Sequence, residues 1–148
     1  MNAADGLDCS FDQGDEQVVY AAIQYGYLYR SDDGGATFYN LITPTEFQGD
    51  WESPFIINPL NNKHLYFAGN KIYLSYDKGD HWNIISPVLD ENLPITSIAM
   101  SKADTNTIYV ASYHNIFVTQ NNGISWENIT NGLPSDSASI TDVKLSDV

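Results

Sequence analysis

Basic residues are scarce in this chain: six lysines and arginines stand against nineteen aspartates and glutamates over 148 residues, a formal net charge of −13. A surface of that sign repels phosphate backbones and anionic bilayers and offers no basic patch, which argues against nucleic acid as a partner. Cysteine is scarcer still. Cys9 stands alone, so no internal disulfide can form, and its place in a strand-like run predicts a buried, unreactive thiol. The three histidines, His64, His81 and His114, are scattered without any zinc-ligand spacing, so no metal centre is expected. The Asp-rich turns match no calcium-loop pattern, although weak Ca²⁺ binding is compatible with them, and no cofactor is expected. No apolar run approaches the ~20 residues of a membrane-spanning helix, so no membrane insertion is expected. Met1-Asn2-Ala3-Ala4 lacks the basic start and apolar middle of a signal peptide, so an export signal, if the protein is secreted, lies elsewhere. There is no glycine-rich phosphate loop, no nucleophile elbow and no sustained helical period.

What the chain does have is repetition. Ser31-Asp32-Asp33-Gly34-Gly35-Ala36-Thr37-Phe38 returns as Ser75-Tyr76-Asp77-Lys78-Gly79-Asp80-His81-Trp82 and again as Thr119-Gln120-Asn121-Asn122-Gly123-Ile124-Ser125-Trp126, each 44 residues after the last. Such a period marks propeller blades or solenoid units. A hydroxyl and a carboxylate two residues apart can hydrogen-bond the backbone of a tight turn. Gly35, Gly79 and Gly123 supply a position where positive φ costs little. Phe38, Trp82 and Trp126 then open the next strand with a ring large enough to fill a seam between sheets. The third copy keeps an acceptor at Asn121 but loses the charge, and it exchanges Thr37 for Ser125; His81 holds the same place in the second copy, where turn packing is its simplest role.

Two strand-like runs precede each octet. The first is Val18–Ala22, His64–Ala68 and Thr107–Ala111, aligned on Tyr20, Tyr66 and Tyr109 as Tyr-x-Ala. The second is Leu28–Arg30, Ile72–Leu74 and Ile116–Val118. A further run lies upstream (Cys9–Phe11, Phe55–Ile57, Ile98–Met100), and a fourth follows the octet around Leu41, Ile85 and Ile129. Each has the β-branched and aromatic content of a strand. Four antiparallel strands per period predict an all-β chain of propeller blades, at about 9–42, 53–86 and 95–130. Ile140–Leu145 matches Ile95–Met100, so 140–148 is expected to open a fourth blade. Propellers close with about four to eight blades. The three here are therefore expected to be completed by remaining blades of a longer chain or by further copies of this one.

The octet resembles the Asp-box, Ser/Thr-x-Asp-x-Gly-x-Thr-Trp/Phe, of sialidases, sortilin-type receptors, xyloglucan-cleaving endoglucanases and secreted bacterial repeat proteins, and the resemblance runs from about Asp5 to Val148. It implies a secreted or cell-surface propeller whose active or binding face lies opposite the octets. Sialidases clamp their substrate with three arginines and this chain has only Arg30, in a strand position where Leu74 and Val118 stand in the other copies. A strand-surface or inter-blade role fits Arg30 better. The two catalytic aspartates of the xyloglucan-cleaving relatives find no match here.

Successive connections alternate between two faces. Octets and the turns at 12–16, 58–63 and 102–106 share one. The hairpins Gln24-Tyr25-Gly26, Gly69-Asn70-Lys71 and Tyr113-His114-Asn115 share the other with the long connections at 43–53, 87–94 and 131–139. Long loops on a rigid scaffold carry function. Asp50-Trp51-Glu52 is the leading candidate there, since an aromatic face rimmed by carboxylates suits a sugar, and paired acids suit glycoside hydrolysis. Packing of Trp51 into an inter-blade seam is the alternative. Tyr25, Gln24, Tyr113 and His114 are further candidates for contact with a glycan or protein ligand.

Overall fold

The computed structural model describes residues 6–43, 51–91, 93–133 and 139–145. Twelve strands form three antiparallel meanders, each hydrogen-bonded in sequence order. The first holds β1 (Gly6–Asp12), β2 (Asp15–Ile23), β3 (Tyr27–Ser31) and β4 (Tyr39–Ile42). The second holds β5 (Phe55–Ile57), β6 (Leu65–Ala68), β7 (Ile72–Ser75) and β8 (Asn83–Ile84). The third holds β9 (Ser97–Met100), β10 (Ile108–Ala111), β11 (Ile116–Thr119) and β12 (Glu127–Asn128). Among the described residues a single 3-10 turn, Gln24–Gly26, interrupts the all-β pattern.

The sheets stack because the middle one is apolar on both faces, so its strands do not alternate apolar with polar. Phe55, Leu65 and Phe67 pack against Val18, Tyr20, Ala22 and Leu28 of the first sheet. Tyr66, Ala68, Ile72 and Leu74, pointing the other way, pack against Met100, Ile108, Val110 and Phe117 of the third. Each fully buried ring or aliphatic side chain of this size contributes about 1.5–3 kcal/mol. Sequential four-stranded meanders stacked face to face are propeller blades, and the chain is a partial β-propeller.

Polar clasps fix the seams. The Tyr20 hydroxyl donates to the Lys78 carbonyl across the first seam at 3.3 Å, and the Tyr66 hydroxyl donates to Asn122 Oδ1 across the second at 2.9 Å. Lys78 and Asn122 hold corresponding octet positions and both adopt the left-handed backbone, at φ 62° and 52°. Lys78 also reaches back with its ammonium to Asp12, which is fully buried, at 2.8 Å. Asn62 Nδ2 completes that site with a 2.7 Å bond to the other Asp12 oxygen. Arg30 serves the same seam, donating to the Lys78 carbonyl at 2.7 Å and pairing with Asp80 at 3.1 Å.

Within each octet the wiring is the same. The first hydroxyl accepts from the glycine N–H (Gly35 to Ser31, Gly79 to Ser75, Gly123 to Thr119) at 2.7 to 2.9 Å. The third residue accepts from the seventh residue's backbone N–H: Thr37 to Asp33 and His81 to Asp77 at 2.8 Å, Ser125 to Asn121 at 2.9 Å. Asn121 keeps the turn without charge by reversing the side-chain bond, donating through Nδ2 to Ser125 at 2.8 Å. Trp82 joins the core between the first two sheets, meeting the Phe67 ring of its own blade edge to face, and Trp126 Nε1 donates to the Ile85 carbonyl of the preceding blade. Phe38, whose octet belongs to the first blade, stays 38% exposed.

One sequence expectation changes. Cys9 is exposed, not buried, because its pairing with Ala21 puts it on the face of the first sheet that turns away from the second. Of the fourth blade expected at 140–148, residues 139–145 run without strand pairing, with Ile140 N–H bonding the Tyr113 carbonyl at 2.8 Å, and 146–148 lie outside the described residues.

Candidate functional site

Backbone hydrogen bonds sort the connections into two faces. On one, each octet bonds the end of its blade where the first two strands join, Gly34 to Gln17 near the start of β2, and Lys78 to Lys63 and Asn122 to Asn106 in the turns, at 2.8 to 3.0 Å. On the other, each inner hairpin bonds the connection to the next blade: Tyr25 with Trp51, Gly69 with Ile95 and Tyr113 with Ile140. The second face gathers the exposed aromatic side chains that sequence reasoning selected.

Tyr25 N–H donates to the Trp51 carbonyl at 3.0 Å, and the two rings meet edge to face with centroids 4.8 Å apart. Both remain about half exposed, Tyr25 at 54% and Trp51 at 47%, so Trp51 is not sunk into a seam. Tyr25 adopts φ 67°, ψ 19°, a conformation that costs a non-glycine residue about 1–3 kcal/mol and clusters at functional positions. Gln24 precedes it in the same turn, and its Oε1 is buried with no hydrogen-bond partner among the described residues. Glu52 is exposed beside Trp51. Asp50 lies outside the described residues.

Tyr113 and His114 occupy the matching hairpin two blades away and are exposed. That hairpin is held by Asp90, which the sequence reading did not single out from the 87–94 connection. One Asp90 oxygen accepts from Ser112 Oγ at 2.7 Å and from Asn115 Nδ2 at 2.9 Å, and the other accepts from Leu93 N–H. The clasping role of Tyr20 and Tyr66 was also missed, although the recurrence of Tyr-x-Ala carried the signal.

The octet carboxylates are committed to their turns. Hydrogen bonds from the Thr37 hydroxyl and backbone, then from Ser31, hold Asp33 down at about 2. Burial opposes the same shift at Asp77, but bonds from the His81 ring and backbone outweigh it and bring that carboxyl to about 2. His81 Nδ1 lies 2.6 Å from Asp77 Oδ2, and this contact raises the imidazole pKa. Such groups serve as fixed acceptors and are poor proton donors near neutrality. His64 bonds Asn61 and rests edge-on against Tyr76, far in sequence from the other histidines. Among the described residues no three His, Cys, Asp or Glu side chains cluster as a metal site.

No protein-family model and no curated protein sequence matches the chain. Its fold matches solved β-propellers. An ancestral GH74 enzyme superposes with TM-score 0.73 at 19% identity, covering 91% of this chain and 19% of its own. The GH74 xyloglucanase of Xanthomonas campestris gives 0.66 at 19%, covering 86% and 23%. YCF48 from Cyanidioschyzon merolae gives 0.59 at 19%, covering 85% and 37%, and YCF48 has also been solved with a D1 peptide bound. The chain thus spans about a fifth to two fifths of these propellers. At such identity the likeness establishes the fold alone.

Proposed function

We propose that this chain is a segment of an extracellular or cell-surface Asp-box propeller that recognises glycans on the face opposite its octets, with Tyr25 and Trp51 as the platform. The observation that carries the reading is the exposed Tyr25–Trp51 edge-to-face pair, fixed by a backbone bond and by a strained tyrosine. A rigid aromatic surface costs little further entropy when a pyranose ring lies across it, and the exposed Glu52 beside Trp51 supplies an acceptor for hydroxyls at its edge. Xyloglucan is a sensible first probe, since the fold likeness includes a GH74 xyloglucanase.

Titration of xyloglucan oligosaccharides into the protein, followed by calorimetry, tests the idea. Saturable binding is expected, abolished by Trp51→Ala and retained by Asp50→Asn and Glu52→Gln. Binding that survives both Trp51→Ala and Tyr25→Ala would sink it. A second reading, part of a glycoside hydrolase completed by other blades, is favoured by the GH74 likenesses. It predicts that polysaccharide cleavage by the complete propeller is lost on Asp50→Asn or Glu52→Gln while folding persists. Binding of a peptide, or of neither ligand, would move the chain towards a protein-recognition or scaffold role.

A further inference from the structure

The two seams inside the chain use the same sequence positions but are finished differently on the octet face. At the first, Asp12 stands eight residues before Tyr20, Asn62 four before Tyr66, and Lys78 fourth in its octet. These three side chains close the seam from both sides. The Lys78 ammonium lies 2.8 Å from one oxygen of the fully buried Asp12, and Asn62 Nδ2 lies 2.7 Å from the other. The closure leaves no space for a side chain at Gly14, where a Cβ would stand 2.6 Å from Asn62 Nδ2.

At the second seam each of these places holds a shorter or uncharged side chain. Asn58 stands for Asp12, Thr105 for Asn62 and Asn122 for Lys78, while Leu60, 70% exposed, stands for Gly14. A cavity of about 240 Å³ lies there, lined by these four and by His64 and Tyr66 among others. Its polar walls are held in place: Asn58 Oδ1 accepts from the Leu60 and Asn61 N–H groups at 2.9 and 3.2 Å, and the Tyr66 hydroxyl donates to Asn122 Oδ1 at 2.9 Å. Asn122 Nδ2 is a donor with no partner among the described residues. Asn61 Nδ2 lies 3.1 Å from His64 Nε2, and burial lowers the His64 pKa, so the imidazole is neutral near pH 7. The His64 ring meets Tyr76, itself 51% exposed, edge to face with centroids 5.0 Å apart, which sets an aromatic surface beside the cavity.

The walls select the ligand by charge and size. A cation would lack the carboxylate that anchors the Lys78 ammonium, because Asn58 replaces Asp12. An anion would meet no fixed positive charge in the cavity, on a chain whose formal net charge is −13. Amides and hydroxyls set donors beside acceptors, the complement of a neutral polyol. The volume falls below the ~300–1,000 Å³ of a pocket for a drug-sized ligand, so the occupant is the size of one sugar ring. We propose that the second seam carries a binding site for a single neutral pyranose unit, on the octet face and independent of the Tyr25–Trp51 platform.

The experiment follows the side-chain amide signals of the chain by NMR while methyl β-glucopyranoside is added. Saturable shifts are expected at Asn58, Asn61 and Asn122. They should persist in Trp51→Ala and vanish when Asn58→Asp, Thr105→Asn and Asn122→Lys together rebuild the first seam's closure at the second. His64→Val installs the residue that Val18 places two before Tyr20 and leaves the Tyr66–Asn122 bond alone, so it keeps the test open if the triple variant misfolds. It is expected to weaken binding about tenfold, the size of one hydrogen bond. Absence of a saturable shift with the glycoside would overturn the proposal, as would shifts unchanged in both the triple variant and His64→Val, or shifts lost in Trp51→Ala. A response to butylammonium or to sulfate but not to the glycoside would overturn it too, by giving the cavity to an ion.

Discussion

Three octet glycines share one backbone conformation, with φ of 92°, 99° and 90° at Gly35, Gly79 and Gly123, but they face different surroundings. This allows the cost of conformation to be separated from the cost of docking. Alanine at Gly35 would meet only the Phe38 ring at 3.8 Å, an ordinary contact, so its penalty is the left-handed backbone alone, about 1–2 kcal/mol. At Gly79 the added methyl would stand 2.6 Å from Leu41 Cδ1, the flexible end of a side chain that can turn aside. At Gly123 it would stand 2.5 Å from the Ile85 carbonyl oxygen and 2.8 Å from Ile85 Cβ, so a whole blade must shift. Overpacking of that kind adds about 1–3 kcal/mol. The expected order of destabilisation is therefore Gly123→Ala, then Gly79→Ala, then Gly35→Ala, with the extremes separated by 1–3 kcal/mol in urea midpoints followed by tryptophan fluorescence and far-ultraviolet dichroism. That spread corresponds to several degrees in melting temperature, since ~1 kcal/mol moves a chain of this size about 2–4 °C. Equal losses at all three positions would refute the claim that octets act as inter-blade wedges.

The His81–Asp77 pair should leave a pH signature. His81 is raised above its unfolded value, so its contribution is complete below about pH 6.5 and fades as pH rises through the folded pKa. Asp77, depressed to about 2, contributes above about pH 4 and loses that contribution as pH falls through its folded value. Melting temperatures across pH 3 to 9 should show the alkaline-side decline vanish in His81→Thr while the acid limb stays, and a persisting alkaline decline would exclude His81 as its source. At the first seam, Arg30→Ala is expected to cost about 1.5–3 kcal/mol through loss of the charged bond to the Lys78 carbonyl. Arg30→Lys should recover only part of it, because one ammonium cannot reproduce the guanidinium fork shared with Asp32 and Asp80. A urea midpoint unmoved by either substitution would show that the seam does not depend on this residue.

Architecture was legible because it rests on periodicity. Equal spacing of the octets, the Tyr-x-Ala strands and the alternation of apolar runs together specify four-stranded units, and no tertiary information is needed to see them. The assignment of turns to two faces was equally legible, since it follows from antiparallel connectivity. Cys9 shows where such reading stops: a strand-like run says that one side chain in two is buried, but which side faces a neighbour depends on the register and on whether a neighbour exists. Of the fourth blade expected at 140–148, only 139–145 are described, and they are held to the third blade by bonds from Ile140 to Tyr113 and between Ser97 and residues 142–143. At the site, Trp51 was visible as an aromatic between acids. Its edge-on meeting with Tyr25, across 26 residues of chain, was not, because it depends on the strained 3-10 turn that precedes β3.

Among the described residues the middle sheet alone packs against a sheet on each side, and it owns the strands buried at every position, Leu65–Ala68 and Ile72–Ser75. In a linear array each unit's resistance to opening is its own stability plus that of the interfaces it shares. Among the three described sheets the middle one therefore shares the most interface. The Tyr25–Trp51 pair is built by the first sheet and the linker leaving it, so its geometry rests on a single seam, the one clasped by Tyr20, Arg30 and Lys78.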